Sequence, residues 1–493
     1  MKTELLLSLL LIFSVNMQAQ VYPKADYVWV MGEGDNPPEY GGDNRVRADF
    51  NSGTCVFTAD TLAFKIHTTY AGICDSAGQL LLYTNGFALA NREHQIVENG
   101  DTLMIDAQAF AAFGLPELPA GALILPNPLN NGIYYLFHEE IQLGYNWVAH
   151  GLDYRPQRIY LTTIDMNANG GLGKVISANN ILAEGDIDFP VLIKHGNGRD
   201  WWLLAGDYLN KTYQTFFIDP GGVHPVIEQD APEAFLGTSG YHEASPDGRY
   251  YVNNDDYGLW VYDFDRCTGL LSNPRVLPYQ PPIFYTSSIA FSQDSRFLYL
   301  GTHLAIYQMD MTTLDSPFIS IDTIAYFDRG FSPWPPFYTQ FLTPELAPDG
   351  KIYYNTFSST QAYHVVNRPG LPLDASDLAQ RGQIIPRWRN GTWCYFPNYR
   401  LGRWSGSPCD TLSFKSPSDA EFQHIPWSES GARQEGTATV KTLQWPPWIT
   451  IPGQKPVQDE PDKGIRPDEV LKEHLRDRNS TRREYASPVN EKE

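Results

Sequence analysis

The feature that most restricts how this chain can fold is a short polar turn that recurs along it, each time followed by a β-rich run. Ser245–Gly248 reads Ser-Pro-Asp-Gly and precedes Arg249–Val252, and Ala347–Gly350 reads Ala-Pro-Asp-Gly and precedes Lys351–Tyr354. Proline presets φ for a turn, aspartate hydrogen-bonds to the backbone nearby, and glycine accepts a positive φ. Each copy therefore predicts a strand, a tight turn and a second strand.

Four further copies of the turn are less regular but keep the same order of turn and strand. They lie at Asp75–Gly78, Asn130–Gly132, Gly196–Asp200 and Ser292–Ser295. The turns fall roughly 45 to 70 residues apart, which is about the length of four short strands with their loops. The spacing predicts an all-β fold, a single β-propeller with six to eight four-stranded blades. Seven blades are favoured if Tyr27–Val30 pairs with the stretch around residues 393–399 to close the ring.

The second half of each unit is also visible. Runs rich in aromatic and β-branched residues end in an aspartate and a polar turn at Tyr213–Asp219, Leu259–Asp265 and Ala305–Asp310. Such runs are typical of strands. We predict that they are third strands that turn into fourth strands.

The composition limits the partners and the compartment. The formal net charge of −21 argues against nucleic acid or an anionic lipid surface, because positive fields steer those ligands. Residues 1–19 have the charged start, apolar run and small residue of a secretory signal peptide. No other apolar run approaches about 18 residues, so no membrane span is predicted. The expected location is secreted or cell-surface, with the periplasm as the alternative.

The expected domains are the signal peptide, a propeller over residues 24–405 and a tail over residues 410–493. The tail is Pro-rich and then charged, with few apolar residues, so we expect it to be mostly disordered. The chain has five cysteines, an odd number, and Cys394 and Cys409 are close enough in sequence to staple the end of the folded body. No cysteine and histidine spacing typical of zinc occurs.

Several stretches resemble WD40-like, YVTN-type bacterial propellers, and more closely an exported propeller group common in Bacteroidota and associated with type IX secretion. The matching pieces are Asp49–Gly53, Gly78–Gly86, Ile164–Asn167, Gly170–Gly173 and Lys194–Trp202. The resemblance extends over roughly residues 25–405, the part of the chain that contains the repeats. It implies an exported propeller and carries no catalytic signature, because the motifs are mostly turns.

One rim of the predicted propeller collects candidate binding residues. In a four-stranded blade the loop between the second and third strands lies on the same rim as the loop that enters the next blade. Carboxylates, imidazoles and aromatic rings are expected there: His242, Glu243, Asp255, Asp256, Tyr285, His303, Trp334 and Tyr338. Such a set could hold a polar ligand or a metal ion, with calcium the only cofactor considered. The alternative interpretation is that these residues form no site. The loops would then be polar because they are exposed to solvent, and aromatic because rings cap the blades.

Three other polar stretches have a structural interpretation that outweighs the functional one. Asp165–Gly170 matches the first half of a calcium loop, but Ile176 replaces the glutamate at the twelfth position, so a hairpin turn is predicted. His138–Glu140 is predicted to be a solvent-facing cluster at a strand end, and His195 to be a hydrogen-bonded structural residue.

Two functions follow. The preferred hypothesis is an exported noncatalytic propeller that binds a protein or polysaccharide at the cell surface through Tyr285, Trp334 and Tyr338. The rival is a hydrolase or lactonase with a metal-assisted site at the channel mouth. No catalytic residue is assigned, because no nucleophile elbow and no phosphate-binding loop occurs.

Overall fold

The computed structural model describes most of the chain between residues 23 and 410, together with two short pieces beyond it. The described residues are 23–32, 44–66, 69–101, 103, 121–129, 132–146, 151–187, 190–208, 210–231, 241–254, 258–278, 286–334, 336–356, 359–389, 394–410, 423–425 and 441–443. They form an all-β, seven-bladed propeller built on four-stranded blades, as predicted, with three described strands in each of blades 1 and 2. The expected signal peptide lies outside the described residues.

Each blade is an antiparallel sheet whose strands follow one another in sequence from the channel outwards. Blade 1 contains β1 (Val28–Met31), β2 (Val46–Asp49) and β3 (Val56–Ala59). Blade 2 contains β4 (Ala71–Cys74), β5 (Leu80–Thr84) and β6 (Leu89–Asn91). Blade 3 contains β7 (Ala122–Pro126), β8 (Ile133–Asn146), β9 (Gly151–Asp165) and β10 (Lys174–Glu184). Blade 4 contains β11 (Val191–Lys194), β12 (Trp201–Asp207), β13 (Thr212–Asp219) and β14 (Gly222–Asp230). Blade 5 contains β15 (Tyr241–Ala244), β16 (Tyr250–Asn254), β17 (Gly258–Asp265) and β18 (Leu270–Pro278). Blade 6 contains β19 (Thr286–Phe291), β20 (Phe297–Thr302), β21 (Ala305–Asp310) and β22 (Ser320–Tyr326). Blade 7 contains β23 (Phe341–Leu346), β24 (Ile352–Thr356), β25 (Thr360–Val366) and β26 (Leu378–Arg389).

Helix is confined to three single turns of 3₁₀ helix in the described residues, at Asn169–Gly171, Met311–Thr313 and Leu373–Ser376. Among those residues, no helix is long and apolar enough to cross a membrane.

The six recurring turns connect the first and second strands of blades 2 to 7. In the copy that begins at Ser245, the serine hydroxyl accepts a hydrogen bond from the Tyr250 backbone N–H at 2.9 Å, and Asp247 accepts one from the Arg249 backbone N–H at 3.0 Å. Gly248 has φ +72°, which a residue with a Cβ adopts at a cost. The predicted turn chemistry is confirmed. All six turns lie on one face of the propeller, which we call the turn face.

The predicted third strands are β13, β17 and β21. Each ends in an aspartate whose carboxylate accepts a backbone N–H two residues later: Asp219 from Gly221 at 2.7 Å, Asp265 from Cys267 at 2.8 Å and Asp310 from Thr312 at 3.0 Å. These bonds satisfy backbone groups where the chain leaves the ladder. The prediction of a third strand turning into a fourth is confirmed.

Blade 1 differs because its strands begin with the N-terminal segment and lack a preceding inner strand. Phe396 stacks on Trp29 with ring centroids 5.7 Å apart, and Arg400 forms an ion pair with Asp26. Residues 394–400 therefore run antiparallel to β1 along the inner side of blade 1. This explains how six turns serve seven blades.

The predicted approach of Tyr27–Val30 to residues 393–399 is thus found as side-chain contact, not as a strand ladder. In the described part of that stretch, residues 394–399, no strand forms, and β1 pairs with β2 instead. Blade 7 completes the ring against blade 1, where Tyr363 stacks on Phe57 at 5.5 Å.

Large rings fill the spaces between blades. Tyr213, Tyr251 and Tyr262 are fully buried between blades 4 and 5, where the Tyr213 hydroxyl donates to the Tyr262 hydroxyl at 2.9 Å. Buried aromatic rings contribute large apolar area, and a buried phenol is tolerated when it has a hydrogen-bond partner. The abundance of tyrosine in the sequence is therefore mainly a property of the core.

Two short strands of the segment after residue 410 add a fifth strand to blades 4 and 5. β27 (Gln423–Ile425) pairs in parallel with β14, and β28 (Lys441–Thr442) pairs in parallel with β18. The sequence analysis predicted no strands there. The rest of the expected tail lies outside the described residues.

The predicted disulfide between Cys394 and Cys409 is wrong. Cys409 is bonded to Cys267 instead, with the two Cα atoms 5.4 Å apart and a sequence separation of 142. Proximity in sequence misled the prediction. Residues 394–400 enter the centre of the propeller, whereas Cys409 lies outside it beside the turn that follows β17.

Candidate functional site

The inner strands enclose a cavity of about 390 Å³ at the turn face. We call it the central cavity, and its charged and polar wall includes Asp26, Lys194, Glu243, Glu345, Tyr395 and Arg400. Its volume is within the range of small-molecule sites. Blades 4, 5 and 7 supply one side and the segment that closes blade 1 supplies the other.

Glu243 and Glu345 occupy the same position in two repeats, two residues before the first residue of the turn, on β15 and β23. Side chains alternate across a strand, so equal positions in two inner strands point to the same side. Glu243 was predicted as a site residue, but at the opposite rim, and that placement is wrong because it is on an inner strand. Glu345 was missed, although a glutamate at the same register of two repeats was a signal that could have found it.

Burial dominates the electrostatics of Glu243. Burial alone raises the pKa of its carboxyl to about 8, because a charged carboxylate loses hydration when it leaves water. Glu243 keeps some exposed surface and lines the central cavity. At neutral pH the carboxyl is therefore mostly protonated.

The pKa of Glu345 is also raised, and more groups contribute to this shift than to that of Glu243. Burial is the largest, and the nearby carboxylates of Glu243 and Asp26 add to it, so its pKa lies well above the usual range. The Phe396 backbone and the Arg400 guanidinium act in the opposite direction. Two carboxyl groups in one enclosed space cannot both ionise cheaply.

Lys194 is the amine of the cavity wall and is only 2 % exposed. Its ammonium group donates to the Tyr399 carbonyl at 3.2 Å and lies 4.3 Å from the centre of the Trp201 ring. Burial lowers its pKa to about 7, with Arg266 adding to the effect and Asp200 opposing it. Lys194 was not predicted as a site residue.

The remaining pair of opposite charges is self-contained. The Arg400 guanidinium donates to both oxygens of Asp26, at 2.6 and 2.8 Å. This bidentate geometry is strong and directional. It neutralises Asp26 and anchors the closing segment at the cavity wall.

The second candidate is on the opposite face, in the segment between β22 and β23. Phe331 and Tyr338 form a β-bridge and stack at 4.4 Å, and Trp334 lies between them in sequence. The exposed fractions of Trp334 and Tyr338 are 52 % and 50 %, and Phe331 and Phe337 are also exposed. We call residues 330–339 the aromatic hairpin. The predicted exposure of Trp334 and Tyr338 is confirmed.

Backbone bonds hold the aromatic hairpin in shape. The Ser332 N–H donates to the Phe337 carbonyl at 2.9 Å, and the Thr339 N–H donates to the Gly330 carbonyl at 3.1 Å. The Ser332 hydroxyl in turn accepts from the Gln361 backbone N–H at 2.8 Å, which fixes the hairpin to β25. A loop ordered in advance loses less entropy when it binds.

The other predicted rim residues do not join one site. His303 packs near the aromatic hairpin, where its Nδ1 lies 3.1 Å from the Phe341 carbonyl. His242 is buried on β15 and hydrogen-bonds to the Tyr251 hydroxyl. Tyr285, Asp255 and Asp256 lie outside the described residues. In the part of the chain that the structure describes, no three His, Cys, Asp or Glu side chains are placed to hold a metal ion.

The predictions for the three other polar stretches have mixed outcomes. His195 is a structural residue, as predicted: its Nδ1 accepts the Asn197 N–H at 3.1 Å. Asp165 accepts the Asn167 N–H at 2.9 Å in the predicted hairpin turn. The solvent-facing cluster at His138–Glu140 is wrong, because β8 continues through it and His138 and Glu139 are buried. The 14-residue strand is longer than the turn spacing indicated.

No protein-family model and no curated protein matches this chain. Among solved structures, a protein provisionally assigned as a 6-phosphogluconolactonase from Bacteroides fragilis aligns with 75 % of this chain and 97 % of its own, at 13 % identity and a TM-score of 0.42. A protein with the same provisional assignment from Bacteroides uniformis aligns with 74 % and 98 %, at 13 % identity and 0.40. Hydrazine synthase from Kuenenia stuttgartiensis aligns with 76 % and 99 %, at 12 % identity and 0.34. At such scores these similarities carry no argument about activity.

Proposed function

We propose that this chain is an exported, noncatalytic propeller that binds a neutral glycan through the aromatic hairpin. The observation that carries the proposal is the exposure of large rings on a loop whose backbone is already ordered. Exposed apolar patches on monomers often mark binding sites. Flat ring faces suit the C–H edges of sugars, and the bound loop needs little further ordering.

Charge supports a neutral ligand over an acidic one. The formal net charge of −21 repels anions at long range, whereas an uncharged sugar needs no steering field. Beside the aromatic hairpin, the Arg381 guanidinium pairs with Asp328, donating to it at 2.8 Å. This pair offers donors and acceptors of the kind that fix sugar hydroxyls. A protein partner is the alternative ligand for the same surface.

Two observations support export. The sequence begins with a signal-like segment, and the folded body contains a disulfide between Cys267 and Cys409. Disulfides persist mainly in oxidising compartments. Secretion or cell-surface display, in the manner of the Bacteroidota propellers that the sequence resembles, is part of the proposal.

The hydrolase alternative has less support. It depended on carboxylates and imidazoles of the predicted rim, at least three of them, converging on one point. His242 and His303 are instead bonded within the blades, and Glu243 lines a cavity that opens on the other face. We therefore favour binding.

Affinity electrophoresis in gels that contain neutral polysaccharides tests the proposal. The wild-type protein should be retarded by at least one polysaccharide, and Trp334→Ala and Tyr338→Ala should each weaken the affinity about tenfold or more, since a central aromatic contact is worth about 2 kcal/mol or more when truncated. Trp404→Ala is the matched control, because Trp404 is also about half exposed but lies away from the aromatic hairpin.

Retardation that survives in both hairpin variants would disprove the role of this surface. If the wild-type protein binds no neutral polysaccharide, the glycan proposal fails, and the hairpin would then be tested against protein partners.

A further inference from the structure

We propose that the central cavity binds a small organic cation, an alkylammonium or a diamine, between Glu243 and Glu345. This inference concerns the turn face and does not depend on the glycan proposal. It starts from an enclosed space of about 390 Å³ whose wall carries more acidic than basic side chains.

Among the acidic groups of the cavity, Asp26 is paired with a base, whereas in the described residues no ion pair involves Glu243 or Glu345. Arg400 is held by Asp26, and Lys194 bonds to the Tyr399 carbonyl instead of to either glutamate. In the described chain, no hydrogen bond or ion pair involves the Glu243 carboxyl. Asp294 at the mouth adds further negative charge, whereas Asp247 there is paired with Arg249 at 2.6 Å. An enclosed carboxyl without a counter-charge is costly to ionise, and a bound cation would remove that cost.

The chemistry of the wall favours an organic cation over a metal ion. In the described residues, no group of three or more ligating side chains is placed around one point, and calcium takes six to eight oxygen ligands. An ammonium group needs fewer contacts: it donates to two carboxylates and lies well against a ring. Tyr395 lines the cavity beside both glutamates, and aromatic faces attract ammonium groups.

The basic residues of the wall do not oppose such a ligand. Lys194, with its pKa lowered to about 7, is largely uncharged above neutrality. Arg400 remains charged, but Asp26 compensates it at 2.6 Å. The cavity therefore presents net negative potential as soon as a glutamate ionises.

Binding should release protons, because Glu243 is mostly protonated at neutral pH in the empty cavity and a bound cation favours its ionised form. The pKa of Glu243 is about 8, and the pKa of Glu345 lies well above the usual range of a glutamate. The other titratable or charged groups that act on this pair are Asp26, Arg400, Tyr354 and Tyr395. The tyrosines stay neutral in this range, since burial raises their pKa. Affinity should therefore rise with pH below about 8, by up to about tenfold per pH unit for the proton that Glu243 loses.

Isothermal titration with butylamine and 1,4-diaminobutane tests the proposal, with 1-butanol and glutarate as uncharged and anionic probes. Titrations at pH 7 in two buffers of different ionisation enthalpy count the protons released. We expect binding of the amines with proton release, and no binding of butanol or glutarate. Glu243→Gln and Glu345→Gln should each lower the amine affinity at least tenfold and reduce the proton release. Glutamine has the shape of a protonated glutamate, so these variants should fold.

Glu98→Gln is the matched control, because Glu98 is an exposed glutamate paired with Lys174 on the surface. It should bind amines like the wild type, and so should Trp334→Ala. Absence of amine binding at pH 8, binding without proton release, or equal binding by the Glu243→Gln/Glu345→Gln double variant would each overturn the proposal. If the variants do not fold, proton release and the pH dependence of the wild type decide it.

Discussion

At the scale of single residues, burial controls the chemistry of this protein more than charge pairing does. His138 is enclosed on β8, and its Nε2 lies 3.0 Å from the Thr162 hydroxyl. Burial lowers the pKa of the imidazole from 6.5 to about 3. The same cause acts with the opposite sign on Glu243, because an acid is charged when deprotonated and a base when protonated.

His138 should make the folded protein sensitive to acid. The unfolded chain binds a proton at this imidazole below about pH 6.5, and the folded protein does so only near pH 3, so stability falls as pH falls between these values. Between pH 6 and 4 the free energy of unfolding of the wild type should fall about 1.4 kcal/mol per pH unit more steeply than that of His138→Gln. Urea denaturation of both proteins at several pH values measures the difference. Parallel pH profiles would show that His138 is protonated in the fold.

At the scale of elements, the repeated turns have the same backbone but different surroundings. Gly248 and Gly350 have φ of +72° and +79°. A Cβ at Gly248 would lie 2.8 Å from Arg266 Cδ and 2.9 Å from Leu401 Cδ2, whereas at Gly350 it would meet only the end of Gln293, at 3.1 Å. Arg266 has little freedom to move, because it donates to the Lys194 and Gly402 carbonyls.

The two glycines should therefore differ in their cost of substitution. Gly350→Ala should lower the free energy of unfolding by about 1–2 kcal/mol, the cost of a left-handed alanine. Gly248→Ala should lower it by a further ~1–3 kcal/mol, because overpacking adds to the backbone cost. Denaturant titration of the two variants makes the comparison. Equal losses of unfolding free energy in the two variants would contradict this prediction. They would show that Arg266 and Leu401 move away from an added Cβ at little cost.

At the scale of the whole molecule, the chain end is tied to the propeller twice. Residues 394–400 complete blade 1, and the Cys267–Cys409 disulfide then fixes the segment to the turn face before it continues to β27 and β28. A crosslink between residues so far apart in sequence restricts the unfolded chain strongly.

Loss of the disulfide should destabilise the whole propeller. Cys267→Ser and Cys409→Ser should each lower the free energy of unfolding by about 2–4 kcal/mol, and the double variant should lose no more than a single one, since all three lack the same bond. A reductant should lower the thermal midpoint of the wild type and leave the variants unchanged. A wild-type midpoint that ignores the reductant, with the bond shown to be reduced, would contradict this account.

The sequence by itself determined the all-β class, the strand–turn–strand unit, the aspartate that ends the three predicted third strands and the exposed rings at Trp334 and Tyr338. These features depend on residues adjacent in the chain: proline, aspartate and glycine set the turns, and alternating side chains set the strands. Six of the blades were visible as recurring turns, and the seventh was expected from closure of the ring by the N-terminal segment.

Only the tertiary structure decided which distant residues meet. It placed Phe396 against Trp29, bonded Cys409 to Cys267 instead of Cys394, and brought Lys194, Glu243 and Glu345 to one cavity. It also buried His138, which was predicted to belong to a solvent-facing cluster at a strand end. Ring closure joins residues hundreds of positions apart, and local patterns carry no information about such pairs. The shifted carboxyls exist only because closure removes water from around them.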